Sequence, residues 1–193
     1  VAVNGVPIFN PIKNDGITDT YIAGELDDFG GHCGRADDYH YHIAPLHLQD
    51  MVGVANPIGY GLDGFPLYGL KEIDGSVVTG LDQYNGHTYK GGPYHYHATE
   101  KYPYVNGGMR GVVQVVNDAI TPQPLTQGIR PAGDPLRGAR IIGFTWPGPN
   151  RYSLEYSLNN RSYFVNYTVN ESTVTFDFVD ADGRTTTNTY NKR

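Results

Sequence analysis

The tetrapeptide Tyr-His-Tyr-His occurs twice in this chain, at 39–42 and at 94–97, and it uses four of the seven histidines. Strict alternation of two residue types has the period of a β-strand, so the histidines of each copy point to one side and the tyrosines to the other. Two imidazoles at positions i and i+2 lie about 6.6 Å apart along a strand and can lean onto one metal ion. Each copy therefore predicts a strand that presents a pair of potential metal ligands.

The two tetrapeptides end a longer repeat that aligns without a gap. Residues 26–42, LDDFGGHCGRADDYHYH, match residues 81–97, LDQYNGHTYKGGPYHYH, at about half of their positions. Upstream, NGVPIFN (4–10) resembles DGFPLYG (63–69) at a slightly different spacing. Two copies are too few for a solenoid, so we predict a duplicated YHYH-motif β unit over residues 1–120.

Each copy also carries a third histidine at the same distance upstream of the tetrapeptide. The candidate metal ligands are therefore His32, His40, His42, His87, His95 and His97. Two arrangements remain open: each copy forms its own three-histidine site, or the four tetrapeptide histidines share one ion. Histidine is a common ligand of both copper and zinc, and the general order of affinities favours copper, with zinc as the alternative.

Acidic residues and a tyrosine close to the first copy are candidates for proton transfer. Tyr39 and Asp38, together with Asp37, could accept or donate a proton beside a metal ion, although Gly and Pro replace the acids in the second copy. Asp27 and Asp82 match between the copies, and either they support the neighbouring histidines or they cap a turn.

Two further residues near the motifs are weak candidates. Cys33 follows His32, as in part of a blue-copper ligand set, but Thr88 stands at the matching position, so we do not expect such a site. His47 has no counterpart in the second copy, where Tyr102 occupies the equivalent position.

The overall composition excludes several classes of protein. A net charge of −6 gives no basic surface for nucleic acid. No apolar run approaches the roughly 20 residues of a membrane span. A single cysteine allows no disulfide within these 193 residues. Sixteen tyrosines, 25 glycines and 13 prolines favour short strands and ordered loops over long helices.

The sequence changes character after residue 120. Residues 121–138 contain four prolines and predict an extended connector. Residues 139–193 consist of alternating apolar and polar segments, with a two-residue turn at Asn159-Asn160 and another turn at Asp180–Gly183. We predict an antiparallel β-meander packed on or beside the first part, with one apolar face formed by Tyr152, Leu154, Tyr156, Tyr163, Val165, Tyr167, Val174, Phe176 and Phe178.

The motifs together resemble a known family. GGHCGRADDYHYHIAP, NPIGYGLDGFPLYG and LDQYNGHTYKGGPYHYHATEKYPYVNGGMRG are similar to the YHYH-domain family, and the tail resembles the β-rich region that follows the domain in many members. The resemblance implies an exported bacterial protein, secreted or periplasmic, and implies no particular activity.

We expect an exported protein that binds a transition metal. An open coordination position predicts catalysis: copper-dependent oxidation of an extracellular organic or polysaccharide substrate, or zinc-dependent hydrolysis at a three-histidine site. Four histidines on one ion predict structure, storage or transport, as in a copper or zinc carrier. A different class is a binding module without metal, in which the tyrosines line a groove for carbohydrate or peptide. Only this last class predicts that folding and ligand binding survive a chelator.

Overall fold

The computed structural model describes residues 1–34, 38–124, 128–131, 133–134 and 136–192. They form a mainly β protein, as predicted, and fall into two compact units. Residues 1–34 and 39–124 belong to the first unit, whereas Asp38 groups with the residues after 127 in the second. Within the described ranges, no helix is long and apolar enough to cross a membrane.

The first unit is built from short strands and one helix. Its elements are β1 (Gly31–Cys33), β2 (Tyr39–Tyr41), α1 (His47–Val52), β3 (Gly59–Tyr60), β4 (Pro66–Tyr68), β5 (Gly86–Thr88), β6 (Tyr94–His97), β7 (Gln114–Val116) and β8 (Ala119–Thr121). β1 pairs with β2, β7 pairs with β8, and the other strands form one sheet in the order β3-β4-β6-β5. β4 and β6 are parallel, and the other pairs are antiparallel.

Both copies of the tetrapeptide form hairpins with the same register. His32 pairs with His40 across β1 and β2, and His87 pairs with His95 across β5 and β6. A third segment runs parallel to the tetrapeptide in each case: Ile8 bridges Tyr41, and β4 pairs with β6. These pairings agree with the sequence alignment of the two copies, and the duplication itself stays a prediction.

The second tyrosine of each tetrapeptide anchors the core of the first unit. Tyr41 is 3 % exposed and Tyr96 is 0 % exposed, and both belong to one cluster of buried apolar residues. The other buried members of this cluster are Ala2, Ala44, Leu48, Ile58, Leu67, Ala98 and Val105. Because successive side chains of a strand point to opposite faces, burying the tyrosine holds the histidines on the other face.

The first tyrosine of each tetrapeptide explains why an aspartate and a glycine recur in the two copies. The Tyr39 hydroxyl donates to Asp27 at 2.9 Å, and Asp27 also accepts the backbone N–H of Gly31 at 3.1 Å. A Cβ on Gly31 would lie 2.7 Å from the Tyr39 hydroxyl oxygen, so only glycine leaves room for the ring. In the second copy the Tyr94 hydroxyl likewise donates to Asp82. Asp27 and Asp82 were predicted either to support the neighbouring histidines or to cap a turn. These hydrogen bonds favour the turn, and each aspartate also binds a tyrosine hydroxyl.

The second unit is the predicted antiparallel meander. Its strands are β9 (Arg140–Gly148), β10 (Arg151–Leu158), β11 (Arg161–Val169), β12 (Thr173–Val179) and β13 (Thr185–Asn191), in the order β13-β12-β11-β10-β9. Asn159 and Asn160 have φ values of 52° and 59°, the left-handed conformation of a tight hairpin turn. The predicted turn after β12 is closed by the Gly183 N–H, which donates to the Asp180 carbonyl at 3.0 Å.

The predicted apolar face exists, but its burial is uneven. Tyr152 pairs with Tyr167 and Tyr167 with Phe176, and the rings stack from strand to strand. Only Val174 and Phe176 of the predicted set are buried, whereas the others are half-buried. In the connector predicted over residues 121–138, Thr121 is the last residue of β8, and the other described residues form no helix or strand.

Candidate metal centres

Three histidines of the first copy converge to form what we call the first centre, His32, His40 and His42. Each of these residues offers one nitrogen within 4.8 Å of the others'. The ring centroids lie 4.8–4.9 Å apart, and the rings of His40 and His42 are almost completely buried. Phe9 stacks on His40 at 4.5 Å and covers one side of the group.

Backbone carbonyls fix the tautomers of two of these imidazoles. His42 Nδ1 donates to the Asn10 carbonyl at 2.6 Å, and His32 Nδ1 donates to the Glu25 carbonyl at 3.2 Å. A carbonyl only accepts, so each Nδ1 carries the proton, and each neutral ring leaves its Nε2 with a lone pair. The two Nε2 atoms nevertheless lie only 3.1 Å apart. Two lone pairs at that distance repel each other unless they share a proton or a metal ion, and nitrogens bound at about 2.0–2.1 Å to one ion fit the spacing.

The second centre contains the three histidines of the second copy and one residue that the motifs did not predict. Its members are His87, His95, His97 and Glu72, with ligand atoms within 4.8 Å of one another. Glu72 is 0 % exposed, and its Oε1 atom lies 3.1 Å from His87 Nε2. Its Oε2 atom lies 3.7 Å from His95 Nε2 and 3.5 Å from His97 Nε2.

The second centre leaves all of these facing atoms without hydrogen bonds. Both carboxylate oxygens of Glu72 and the Nε2 atoms of the three histidines are buried and have no hydrogen-bond partner. The short distances could suggest ion pairs with protonated rings, but the geometry does not satisfy a hydrogen bond. Buried polar groups in native proteins are rarely left unpaired, and a buried carboxylate least of all. Four such groups, with ligand atoms within 4.8 Å of one another, could hold a cation.

Carbonyl groups orient the second centre as they do the first. His97 Nδ1 donates to the Gly69 carbonyl at 2.9 Å, and His95 Nδ1 donates to the Pro93 carbonyl at 3.0 Å. These bonds aim Nε2 at Glu72, as in metal sites whose histidines donate their other N–H to a fixed acceptor.

Burial keeps several of these histidines neutral. Desolvation is the largest factor that lowers the pKa of His32, His42 and His97 below the ordinary value of 6.5. Neighbouring imidazoles lower each of them further. A neutral imidazole is the form that binds metal, so both centres contain rings already in the binding form at neutral pH.

All six predicted histidines thus lie in one centre or the other. Of the two predicted arrangements, this is the one in which each copy of the repeat forms its own group of histidines. The shared four-histidine arrangement does not occur among the described residues, where the ligand atoms fall into two separate groups. Glu72 has no motif of its own. The nearest sequence signal is its place three residues after Gly69, whose carbonyl orients His97.

Of the predicted proton-transfer residues, Tyr39 is the one that the structure places away from the first centre. Tyr39 points to the opposite face of β2 from His40, and burial followed by the Asp27 carboxylate raises the pKa of its phenol well above 10. Asp38 groups with the second unit, and Asp37 lies outside the described residues.

Cys33 and His47 are members of neither group. Cys33 is exposed, at the end of β1. His47 begins α1, where its Nε2 lies 3.4 Å from the Tyr41 hydroxyl, and burial lowers its pKa.

Fold and sites together define a β-rich protein with two buried histidine centres in one unit. The family model described as YHYH protein matches residues 1–79, which include the first tetrapeptide and Glu72. This match supports the predicted resemblance to the YHYH-domain family over that part of the chain. No curated protein and no solved structure matches the chain significantly.

Proposed function

We propose that this protein binds two transition-metal ions, one at each centre, and that it does so outside the cytoplasm. The observation that carries the proposal is the second centre. There a fully buried carboxylate faces three imidazole nitrogens, and none of the five atoms has a hydrogen-bond partner. Without a cation this arrangement is costly, because an unpaired buried carboxylate loses its hydration and gains nothing in return.

The two ligand sets favour different metals. Three imidazoles and one carboxylate form the four-ligand set typical of zinc, which accepts nitrogen and oxygen donors in a tetrahedral arrangement. The first centre offers only imidazole nitrogen among the described residues. Nitrogen ligation suits both copper and zinc, and the general affinity order favours copper, so we assign copper to the first centre and zinc to the second.

Localisation follows from the family rather than from the site. The resemblance to the YHYH-domain family implies export, to a secreted or periplasmic location. Fractionation of the native organism, with an antibody against the chain, tests this part of the proposal independently of metal binding. Recovery from the cytoplasm alone would contradict it.

Elemental analysis of tag-free protein, purified without added metal, tests the metal proposal. The matched variants are His40→Ala for the first centre and His95→Ala for the second, with circular dichroism to check that each variant folds. We expect two metal atoms per chain in the unmodified protein and one in each variant. One atom lost in both variants would favour a shared site instead. No metal bound, and none taken up from copper or zinc solutions, would overturn the proposal.

A chelator distinguishes metal binding from the binding module without metal. Removal of an ion leaves Glu72 unpaired, so we expect a lower unfolding midpoint in a chelator than in added metal. An unchanged midpoint would favour the tyrosine-rich module for carbohydrate or peptide.

A further inference from the structure

The two centres differ at one equivalent backbone position. Asn10 and Gly69 supply the carbonyls that accept from His42 Nδ1 and His97 Nδ1. Three residues beyond each carbonyl stand Lys13 in the first copy and Glu72 in the second.

The local turns agree with a correspondence between Lys13 and Glu72. The Lys13 N–H donates to the Thr18 carbonyl at 2.9 Å, and the Glu72 N–H donates to the Ser76 carbonyl at 3.0 Å, across a turn one residue shorter. The carbonyl of each residue accepts the N–H of a glycine, Gly16 at 2.9 Å and Gly75 at 2.8 Å. At this corresponding backbone position one copy has a lysine where the other has a glutamate.

Lys13 differs from Glu72 both in its charge and in the residues that it contacts. Its Nζ forms an ion pair with Glu25 at 2.8 Å, and both side chains are partly exposed. The Glu25 carbonyl accepts from His32 Nδ1, so this ion pair is attached to the first centre through the backbone.

We propose that the first centre, once loaded with metal, keeps a coordination position open for a small anion, whereas Glu72 closes the second centre. This inference rests on the proposed function. Three neutral imidazoles leave the full charge of a divalent ion uncompensated, and the Lys13–Glu25 ion pair beside them carries no net charge. In the second centre the Glu72 carboxylate cancels one unit of charge and occupies the fourth position. An exchangeable ligand therefore belongs to the first centre, and that ligand is an anion.

Cobalt(II) provides a spectroscopic test, because its visible absorption changes when an anion enters its coordination shell. The protein is loaded with two equivalents of cobalt(II), and loading is verified by elemental analysis. Azide is then titrated against a matched series of perchlorate, which does not coordinate. We expect azide to change the spectrum with saturation at one site per chain, and perchlorate to leave it unchanged.

Substitutions at the two equivalent positions assign the response. Lys13→Glu supplies the missing carboxylate and should weaken azide binding at least tenfold. Lys13→Gln removes the charge without adding a ligand, so it should keep the response with a smaller loss of affinity. Glu72→Gln opens the second centre and should add a second azide site.

The outcomes separate this inference from the proposed function. If cobalt does not bind, the proposed function itself fails. If two cobalt ions bind and azide has no effect, the first centre is closed by another ligand and only this inference is overturned. An equal azide response in the Lys13→Glu variant would also overturn it.

Discussion

Glu72 Oε1 lies 3.1 Å from His87 Nε2, yet neither atom is hydrogen-bonded. A protonated histidine beside a carboxylate would turn its N–H toward the oxygen. Here both atoms belong, with His95 and His97, to a group whose ligand atoms lie within 4.8 Å of one another. The pair could therefore act as two metal ligands, and substitution of Glu72 separates that role from an ion pair.

We predict that Glu72→Gln has opposite effects on the two forms of the protein. Metal affinity at the second centre should fall by more than the ~10- to 100-fold typical of losing an outer-shell partner. The metal-free protein should be unchanged or more stable, because a neutral amide is easier to bury than an unpaired carboxylate. Competition with a chelator measures the metal affinity, and urea unfolding measures the stability of the metal-free protein.

Exposed Glu100 provides the control variant, Glu100→Gln. A loss of about 3–5 kcal/mol in the metal-free form would instead indicate a buried ion pair.

The glycine before His32 should not tolerate a side chain. In Gly31→Ala the new Cβ would lie 2.5 Å from the His40 carbonyl oxygen and 2.7 Å from the Tyr39 hydroxyl oxygen. Overpacking of this kind costs ~1–3 kcal/mol of unfolding free energy, measurable by urea denaturation. Gly148→Ala is the control, because its Cβ would meet only one atom at 3.9 Å. Equal stability of the two variants would show that the Tyr39 ring can move away.

Removing the Tyr39 hydroxyl tests whether this residue serves stability or proton transfer. Tyr39→Phe deletes the donor to Asp27, and a hydrogen bond to a charged group contributes ~1.5–3 kcal/mol. We expect that loss of stability, with the amount of bound metal unchanged. Tyr102→Phe, at a tyrosine 57 % exposed, is the control. A variant of normal stability that has lost a metal-dependent reaction would restore Tyr39 as a proton-transfer residue.

The metal-free protein should lose stability as pH falls from 6.5 toward 5. Burial lowers the pKa of His32, His42 and His97 in the folded state, whereas unfolded histidines titrate near 6.5. Below that value the unfolded chain binds more protons than the folded one, so the free energy of unfolding decreases. Carboxylates such as Asp15, with a pKa lowered to about 2, respond at more acidic pH and do not obscure this range. Urea midpoints at pH 7.5 and 5 measure the effect, and equal midpoints would contradict it.

Patterns that extend over only a few residues were enough to predict several of the strands and turns. The tetrapeptides form strands, and Asn159-Asn160 forms a hairpin turn, because alternation and left-handed asparagine act over a few residues. The β7–β8 hairpin was missed, although Asn117-Asp118 carries the same signal, with φ values of 50° and 61°. The six-residue helix α1 has too few residues to show a helical period.

The sequence predicted which histidines belong to the candidate sites, but it did not predict how they are divided between them. All six histidines were found because the repeat marks them. Whether they formed one site or two depended on how the hairpins pack, which no local pattern encodes. Glu72 could not be found by comparing the copies, since Lys13 occupies its place in the first one. Whether the six histidines bind metal stays a prediction.

Glu72 and His97 are 25 residues apart in the sequence, so an ion bound by both would link distant points of the backbone. With Cys33 as the single cysteine, no disulfide can form within these 193 residues. An ion held by Glu72 and His97 would tie together two points of the backbone in the folded chain and stabilise the fold for as long as it stays bound. Unlike a disulfide, this cross-link would open without any reducing agent, whenever protons or a competing chelator removed the ion.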